Sequence, residues 1–371
     1  MAEISVPIAG NRLVSLDALR GFTIAAMVIV NDPGSWQYVY RPLRHAEWNG
    51  CTLTDIIFPF FLFIVGVSIA LAYTKRLKAG VPMKKIYRKI IIRAINIYLL
   101  GLFLWLWPDF DFSGIRWTGV LQRISVVFLV CAILFLKTNW KQQIWTGAVI
   151  LLAYWIILAY VPIPAIGKPD LSVPGKNWAN YLDSLALPGV MWQETWDPEG
   201  ILSTFPAIVS GITGMLVGKL YLTVKDRDRK LSRMFFIGFS MFVAGGIWNW
   251  FFPINKNLWT SSFVLYTSGA GTMALAAAIL IVDIWGHTRW TFLGRVYGAN
   301  AITSYVLAGM LTVVFYGIRI GGASLNEWFM NGLTPLGFDS RFVSLLYAVI
   351  YMLTIFLPAL FLYRRNIFIK V

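Results

Sequence analysis

The fold is decided by DIIFPFFLFIVGVSIALAYT, residues 55–74, in which Asp55 is the only charged side chain. A helix needs about 20 mostly apolar residues to cross the core of a bilayer. This stretch therefore predicts a transmembrane helix, and comparable stretches recur along the chain. We predict ten crossings, near residues 13–32, 55–74, 90–107, 118–136, 143–161, 201–221, 234–252, 261–284, 291–318 and 341–363.

The overall composition also indicates a membrane protein. The 371 residues are 58% hydrophobic and 13% charged, with a mean hydropathy of +0.67. Soluble domains carry about 25% charged residues, so the composition excludes a soluble domain. Because the crossings are joined by mostly short links, we predict a single integral-membrane domain over residues 1–371. Its expected fold class is all-α, a polytopic transmembrane helical bundle.

The distribution of basic residues predicts the orientation of the bundle. If the N-terminus lies inside, 21 of the 32 lysines and arginines fall on the inner side and eight on the outer side. The positive-inside rule then predicts that both termini are inside and that the number of crossings is even. We attribute the net charge of +15 to this sidedness and expect no nucleic-acid partner.

Two outer loops are expected to face a substrate. Residues 33–54 form the first, and residues 161–200 form a longer loop with six prolines. The longer loop also contains Trp178, Trp192 and Trp196. It suits a lid over a sugar, and it equally suits aromatic anchoring at the membrane interface.

The densest polar cluster lies in and beside the first outer loop. His45 is one of only two histidines, and an imidazole beside carboxylates can remove a proton from an amine or a hydroxyl. Asp55 also suits the N-terminus of the second crossing, and capping alone would explain it. The candidate catalytic residues are Asn31, His45, Glu47, Asn49 and Asp55.

Three arginines, Arg20, Arg123 and Arg295, fall inside predicted crossings. An arginine at the centre of a membrane helix costs about 2.5–3.5 kcal/mol on insertion scales, so each requires an internal partner or a ligand. Arg20 has Asp17 three residues away on the same helix face. For the other two, an anionic ligand and a distant carboxylate remain open alternatives.

Two further polar blocks open the sixth and eighth crossings on the outer side. Amides, charged groups and a tryptophan are well suited to sugar hydroxyls and a stacked sugar ring. The candidate substrate-binding residues are Asp197, Glu199, Asn255, Lys256, Asn257 and Trp259. With two histidines on opposite faces and no Cys/His spacing, we expect no metal site.

Five ordered blocks resemble a known family. Residues 15–22, SLDALRGF, resemble the opening helix of the transmembrane acyltransferase superfamily. Four later blocks resemble heparan-alpha-glucosaminide N-acetyltransferase and its bacterial NagX-type relatives. They are HAEWNGCTLTD (45–55), GVLQRI (119–124), DPEGIL (197–202) and NKNLW (255–259).

The resemblance implies acetyl-CoA as a donor from the cytosolic side and an amino sugar as the acceptor on the far side. It further implies that His45 is catalytic, as a general base or as an acetyl carrier. We expect Asp55 or Glu47 to orient His45, and Asn31 or Asn49 to stabilise the oxyanion. We also expect Arg20, Arg123 and Arg295 to line the route of the donor.

The resemblance also bears on location and acceptor. The chain lacks the large N-terminal lumenal region of the lysosomal member, which implies a bacterial inner-membrane protein and a periplasmic glucosamine-type or muramic-type acceptor. A permease for N-acetylglucosamine-type sugars and an O-acetyltransferase of a glycan remain alternatives. The polar blocks lie at helix ends rather than at the midplane, which disfavours transport. The expected partners are the acceptor glycan and the lipid bilayer, and a homodimer is left open.

Overall fold

The computed structural model describes residues 13–369, and nearly all of its regular structure is helical. The α-helices are α1 (Val14–Asn31), α2 (Leu53–Lys78), α3 (Met83–Leu106), α4 (Val120–Lys137), α5 (Trp140–Tyr160), α6 (Trp178–Ala186), α7 (Ile201–Thr223), α8 (Arg227–Trp248), α9 (Ser261–Ala278), α10 (Phe292–Ala299), α11 (Ala301–Thr312), α12 (Leu325–Leu333) and α13 (Ser340–Arg364). Short 3-10 helices cover Arg41–Leu43, Arg289–Thr291 and Thr334–Leu336, and π-helical turns cover Ile279–Ile284 and Val313–Gly317. One small antiparallel hairpin pairs β1 (Arg319–Ile320) with β2 (Ala323–Ser324).

Nine of the helices within residues 13–369 are long and apolar enough to cross a membrane. They are α1 to α5, α7, α8, α9 with its π-helical extension, and α13. A tenth span is formed if the bent pair Arg289–Ala299 and Ala301–Gly317 crosses as one unit. The predicted all-α polytopic bundle is therefore confirmed.

The predicted crossing at 291–318 is bent by 75° in the structure. Asn300, at the bend, leaves the helical region with φ −130° and ψ 48°. Its side-chain amide donates to the carbonyl of Ile367 at 2.9 Å and accepts from the Ile369 N–H at 2.8 Å. These contacts with the segment after α13 hold the break in place.

Close packing of α2 on α7 forms the centre of the bundle. A Cβ added at Gly66 would lie 2.0 Å from the carbonyl oxygen of Gly211, and one at Gly214 would lie 2.0 Å from that of Phe63. Small residues at such positions let two membrane helices approach closely enough for dense van der Waals contact. The glycines therefore fix the position of α2, the helix that carries Asp55.

Four helices begin at the same end of the bundle, which we call the His45 end. α2 packs on α4, α7 and α9, and the loops before all four converge there. The loop over residues 161–200 contains α6, which packs on α7. The opposite end, where α5 and α8 begin and α7 finishes, is called the Arg20 end.

Candidate active site

His45 and Asp55 form a hydrogen-bonded pair at the start of α2. His45 Nδ1 lies 2.7 Å from Asp55 Oδ1, and the carboxylate is 1% exposed while the imidazole is 41% exposed. Asp55 Oδ2 accepts from the backbone N–H groups of Ala46, at 3.0 Å, and Thr52, at 2.9 Å. One carboxylate thus caps the helix and orients the histidine. Since a carboxylate accepts, Nδ1 carries the proton and Nε2 presents a lone pair.

Lys256 reaches the same histidine from the loop before α9. Its Nζ lies 3.1 Å from His45 Nδ1, 3.3 Å from His45 Nε2 and 3.9 Å from Asp55 Oδ1. Burial lowers the pKa of Lys256, and the Asp55 charge opposes that shift. Lys256 therefore lies beside the lone pair of His45 Nε2.

The loop before α9 is joined to the first loop by direct hydrogen bonds. Asn255 Nδ2 donates to Asn49 Oδ1 at 3.0 Å, and the Gly50 N–H donates to the Ile254 carbonyl at 2.7 Å. Asn257 lies half-buried in the same turn. The structure therefore brings a predicted catalytic group and a predicted sugar-binding group into one cluster.

Arg116, which no sequence pattern marked as a site residue, binds both acidic residues of the DPEG block. Its guanidinium contacts Asp197 through two hydrogen bonds of 2.7 Å and Glu199 through one of 2.6 Å. Thr118 Oγ1 also donates to Asp197, at 2.8 Å. Burial alone would raise the pKa of Asp197, but Arg116 and its other donors hold it below the usual value. Asp197, predicted to bind sugar, is fully buried and is hydrogen-bonded to Arg116 and Thr118 in this structure.

Arg123 lies at the His45 end, at the start of α4. It is 2% exposed, and its Nη2 donates to Ser203 Oγ and to the Gly200 carbonyl. Its guanidinium stacks 5.1 Å from the ring centre of Trp259. Among the described residues its Nε and Nη1 have no hydrogen-bond partner. Two buried donors therefore remain for an acceptor group near the site.

Trp259, predicted to stack on a sugar, is buried in this conformation. It is 1% exposed and packs edge-on against Phe58 and Phe263. Its Nε1 donates to Ser210 Oγ at 3.1 Å. The indole therefore supports Arg123 from within the bundle.

The other two predicted donor-binding arginines lie away from Arg123. Arg20 Nη2 donates to Ser68 Oγ at 2.7 Å, and Ser68 lies about 20 Å along α2 from Asp55 at the usual helical rise. Arg295 lies on α10, which packs against α1. Arg93 on α3 is near enough to Arg20 and to Arg76 for their charges to interact. The basic cluster at the Arg20 end thus contains Arg76 and Arg93, which were not among the predicted site residues.

Asn31 and Glu47, the remaining predicted catalytic residues, are both exposed at the His45 end. Asn31 is the last residue of α1, and Glu47 lies two residues after His45. The carboxylate that contacts the imidazole is that of Asp55. In the described part of the chain, no group of three or more His, Cys, Asp and Glu residues could hold a metal ion.

Comparison with known proteins identifies the family. A family model described as heparan-alpha-glucosaminide N-acetyltransferase, catalytic, matches residues 12–246. Heparan-alpha-glucosaminide N-acetyltransferase of Mus musculus is 29% identical over 357 residues, covering 80% of this chain and 53% of the relative. The protein of that name from Homo sapiens is 29% identical over 354 residues, covering 80% and 52%. The chain spans about half the length of these relatives. On the family match, which includes His45, Asp55 and Arg123, this chain belongs to the heparan-alpha-glucosaminide N-acetyltransferase family.

Proposed function

We propose that this protein is a multi-pass membrane acetyltransferase that moves an acetyl group from acetyl-CoA to the amine of a glucosamine-type sugar. The donor binds from the cytosolic side, and the acceptor binds on the periplasmic side of a bacterial inner membrane. The observation that carries this proposal is the hydrogen bond between His45 and Asp55, which leaves Nε2 of a half-exposed imidazole as the basic nitrogen at one end of the bundle. The names of the two relatives support N-acetylation of a glucosaminide.

Nε2 of His45 supplies the base that this reaction requires. The ammonium of the amino sugar first loses one proton to solvent, and the free amine must lose a second proton as its nitrogen attacks the thioester carbonyl. His45 Nε2 takes this second proton while Asp55 holds the Nδ1–H, the new C–N bond forms, and the C–S bond breaks to release the CoA thiolate. The proton then passes from His45 to the thiolate. An acetyl-histidine intermediate would use the same nitrogen.

Lys256 lies beside the base and would move when the acceptor binds. Its Nζ lies 3.3 Å from Nε2, so binding of the acceptor would displace it from the lone pair. Asn49 offers a further donor, since its carbonyl accepts from Asn255 and its NH₂ group points to no partner within residues 13–369. An amide donor aimed at a developing oxyanion contributes about 2.7–4 kcal/mol in enzymes of this type.

The basic cluster at the Arg20 end suits the phosphates of CoA. Arg20, Arg76 and Arg93 come from three neighbouring helices, and guanidinium groups bind phosphate through paired donors. This cluster and His45 are separated along α2, so the thin pantetheine arm would run beside that helix. Arg295 on α10 would flank the same entrance, and Arg123 would meet the acetyl carbonyl at the far end.

Screening purified protein against amino sugars tests the proposal. Release of the CoA thiol would be followed with acetyl-CoA as the donor and glucosamine, muramic acid and their oligomers as acceptors. We expect thiol release only with an acceptor, and a new amide in the NMR spectrum of the product. An ester product would identify an O-acetyltransferase instead, and no thiol release with any acceptor would contradict the proposal.

A further inference from the structure

A large groove lies between α5, α7, α8 and α9, apart from the site described above. Its volume is about 780 Å³, and none of the predicted site residues lines it. The lining comes from the first half of α5, the second half of α7 and mainly the first half of α8, which places most of the groove in the Arg20 half of the bundle.

The walls of the groove are apolar and open towards the lipid. Leu151, Ile212 and Leu216 form its inner wall, while Ile144 and Leu152 on α5 and Ile237 on α8 are exposed. Both α5 and α8 pack on α7 and α9, which leaves the groove between them. A groove of this size and composition suits hydrocarbon chains better than a polar cofactor, whose amides would lack partners along most of it.

Two basic side chains lie at one end of this groove. Lys219 is in the last turns of α7 and Arg233 is in the second turn of α8, and both line it. No acidic residue lines the groove with them. Basic pockets between membrane helices on one face of the bilayer recognise anionic lipid headgroups.

We propose that this groove is a binding site for an anionic phospholipid. The acyl chains lie along the apolar walls, and the phosphate lies at the end marked by Lys219 and Arg233. The two cations would complement an anionic headgroup, and the apolar walls that open towards the lipid would take its acyl chains. Both features favour a bilayer lipid as the occupant. The site is independent of acetyl transfer, so either proposal can fail without the other.

The test measures retained lipid by native mass spectrometry and thermal unfolding in nanodiscs of phosphatidylcholine with and without phosphatidylglycerol. We expect the wild-type protein to retain phosphatidylglycerol in preference and to unfold at a higher temperature when it is present. The double variant Lys219→Gln/Arg233→Gln should bind phosphatidylglycerol roughly 30-fold more weakly, since each basic residue contributes about a fivefold factor.

Matched controls separate a built site from general surface charge. Lys84→Gln/Lys85→Gln removes two exposed cations from the first turn of α3 and should leave phosphatidylglycerol binding unchanged. Ala148→Trp keeps both cations, fills the groove and should reduce binding. Equal loss in the two double variants would overturn the proposal, as would equal retention of the two lipids by wild type. Displacement of bound lipid by acetyl-CoA would also overturn it, because the groove would then belong to the donor.

Discussion

Asp55 caps α2 and holds His45 with the same carboxylate, Oδ1 lying 2.7 Å from His45 Nδ1 and Oδ2 accepting from the Thr52 N–H at 2.9 Å. A capping residue is held in place by the helix that it begins. Because the same carboxylate is hydrogen-bonded to His45, the imidazole also has a defined position relative to the bundle. This arrangement holds a histidine in a loop in a fixed position beside the helix N-terminus. It also means that fold and chemistry can be tested separately at one residue.

Replacement of Asp55 by asparagine should reduce turnover by roughly 10²-fold or more with a small change in KM. The amide keeps one acceptor for the helix cap but no longer stabilises the imidazolium that forms during proton transfer. Steady-state kinetics and thermal unfolding should be measured together. Glu194→Gln changes an exposed carboxylate in the 161–200 loop and should have wild-type kinetics. Full activity in Asp55→Asn would show that His45 works without its carboxylate.

Replacement of Arg116 by methionine should lower the free energy of unfolding by about 3–5 kcal/mol, because it leaves two carboxylates without their buried cation. Arg319→Met is the matched control. The Arg319–Glu327 pair is 64% and 41% exposed, and pairs at the surface contribute about 0–1 kcal/mol. Chemical denaturation in detergent compares the two variants. Similar losses in both would show that Arg116 is not an internal structural cation.

The buried carboxyl of Asp183 should make the stability of the fold depend on pH, and a substitution at this residue should remove that dependence. Burial raises its pKa from 3.8 to about 7, and its Oδ1 accepts from the Ile201 N–H at 2.8 Å while Oδ2 has no partner among the described residues. Between pH 3.8 and about 7 the native state binds more protons at Asp183 than the unfolded state does. The stabilisation that comes from the protonated carboxyl is therefore complete at low pH and is lost as the pH rises towards 7.

Asp183→Asn should therefore show a flatter melting temperature between pH 4 and pH 8 than the wild type. The asparagine keeps the acceptor for Ile201 and cannot ionise. Asp170→Asn serves as the control, because hydrogen bonds from Ser172 lower the pKa of Asp170 rather than raise it. An unchanged slope in Asp183→Asn would assign the pH dependence to another group.

Apolar runs were sufficient to predict the membrane helices because each crossing is a local property of about 20 residues. The bend at Asn300 was not predicted, since the contacts that hold it come from residues after α13. α12 was also missed, although Ser324 and Glu327 form a capping box that the sequence signals.

The sequence was sufficient to predict several residues of the site, but it did not predict which of them contact each other. His45 and Asp55 lie ten residues apart, within one polar loop. Lys256 reaches His45 across 211 positions and Arg116 reaches Asp197 across 81, and no local pattern encodes either contact. The two acids of the DPEG block required a cation, which was the one signal for Arg116. Arg20 and Arg123 both fall inside predicted crossings, and the fold places them at opposite ends of the bundle.

We propose that His45 is required for acetyl transfer to an acceptor on the side opposite the donor. Liposomes containing the protein would be loaded with labelled acetyl-CoA, supplied with the amino sugar outside, and compared with liposomes containing His45→Ala. We predict labelled N-acetyl sugar outside with the wild type and none with His45→Ala, which should still bind CoA. Wild-type rates in His45→Ala, or exchange of sugar across the membrane without acetylation, would contradict the proposed function.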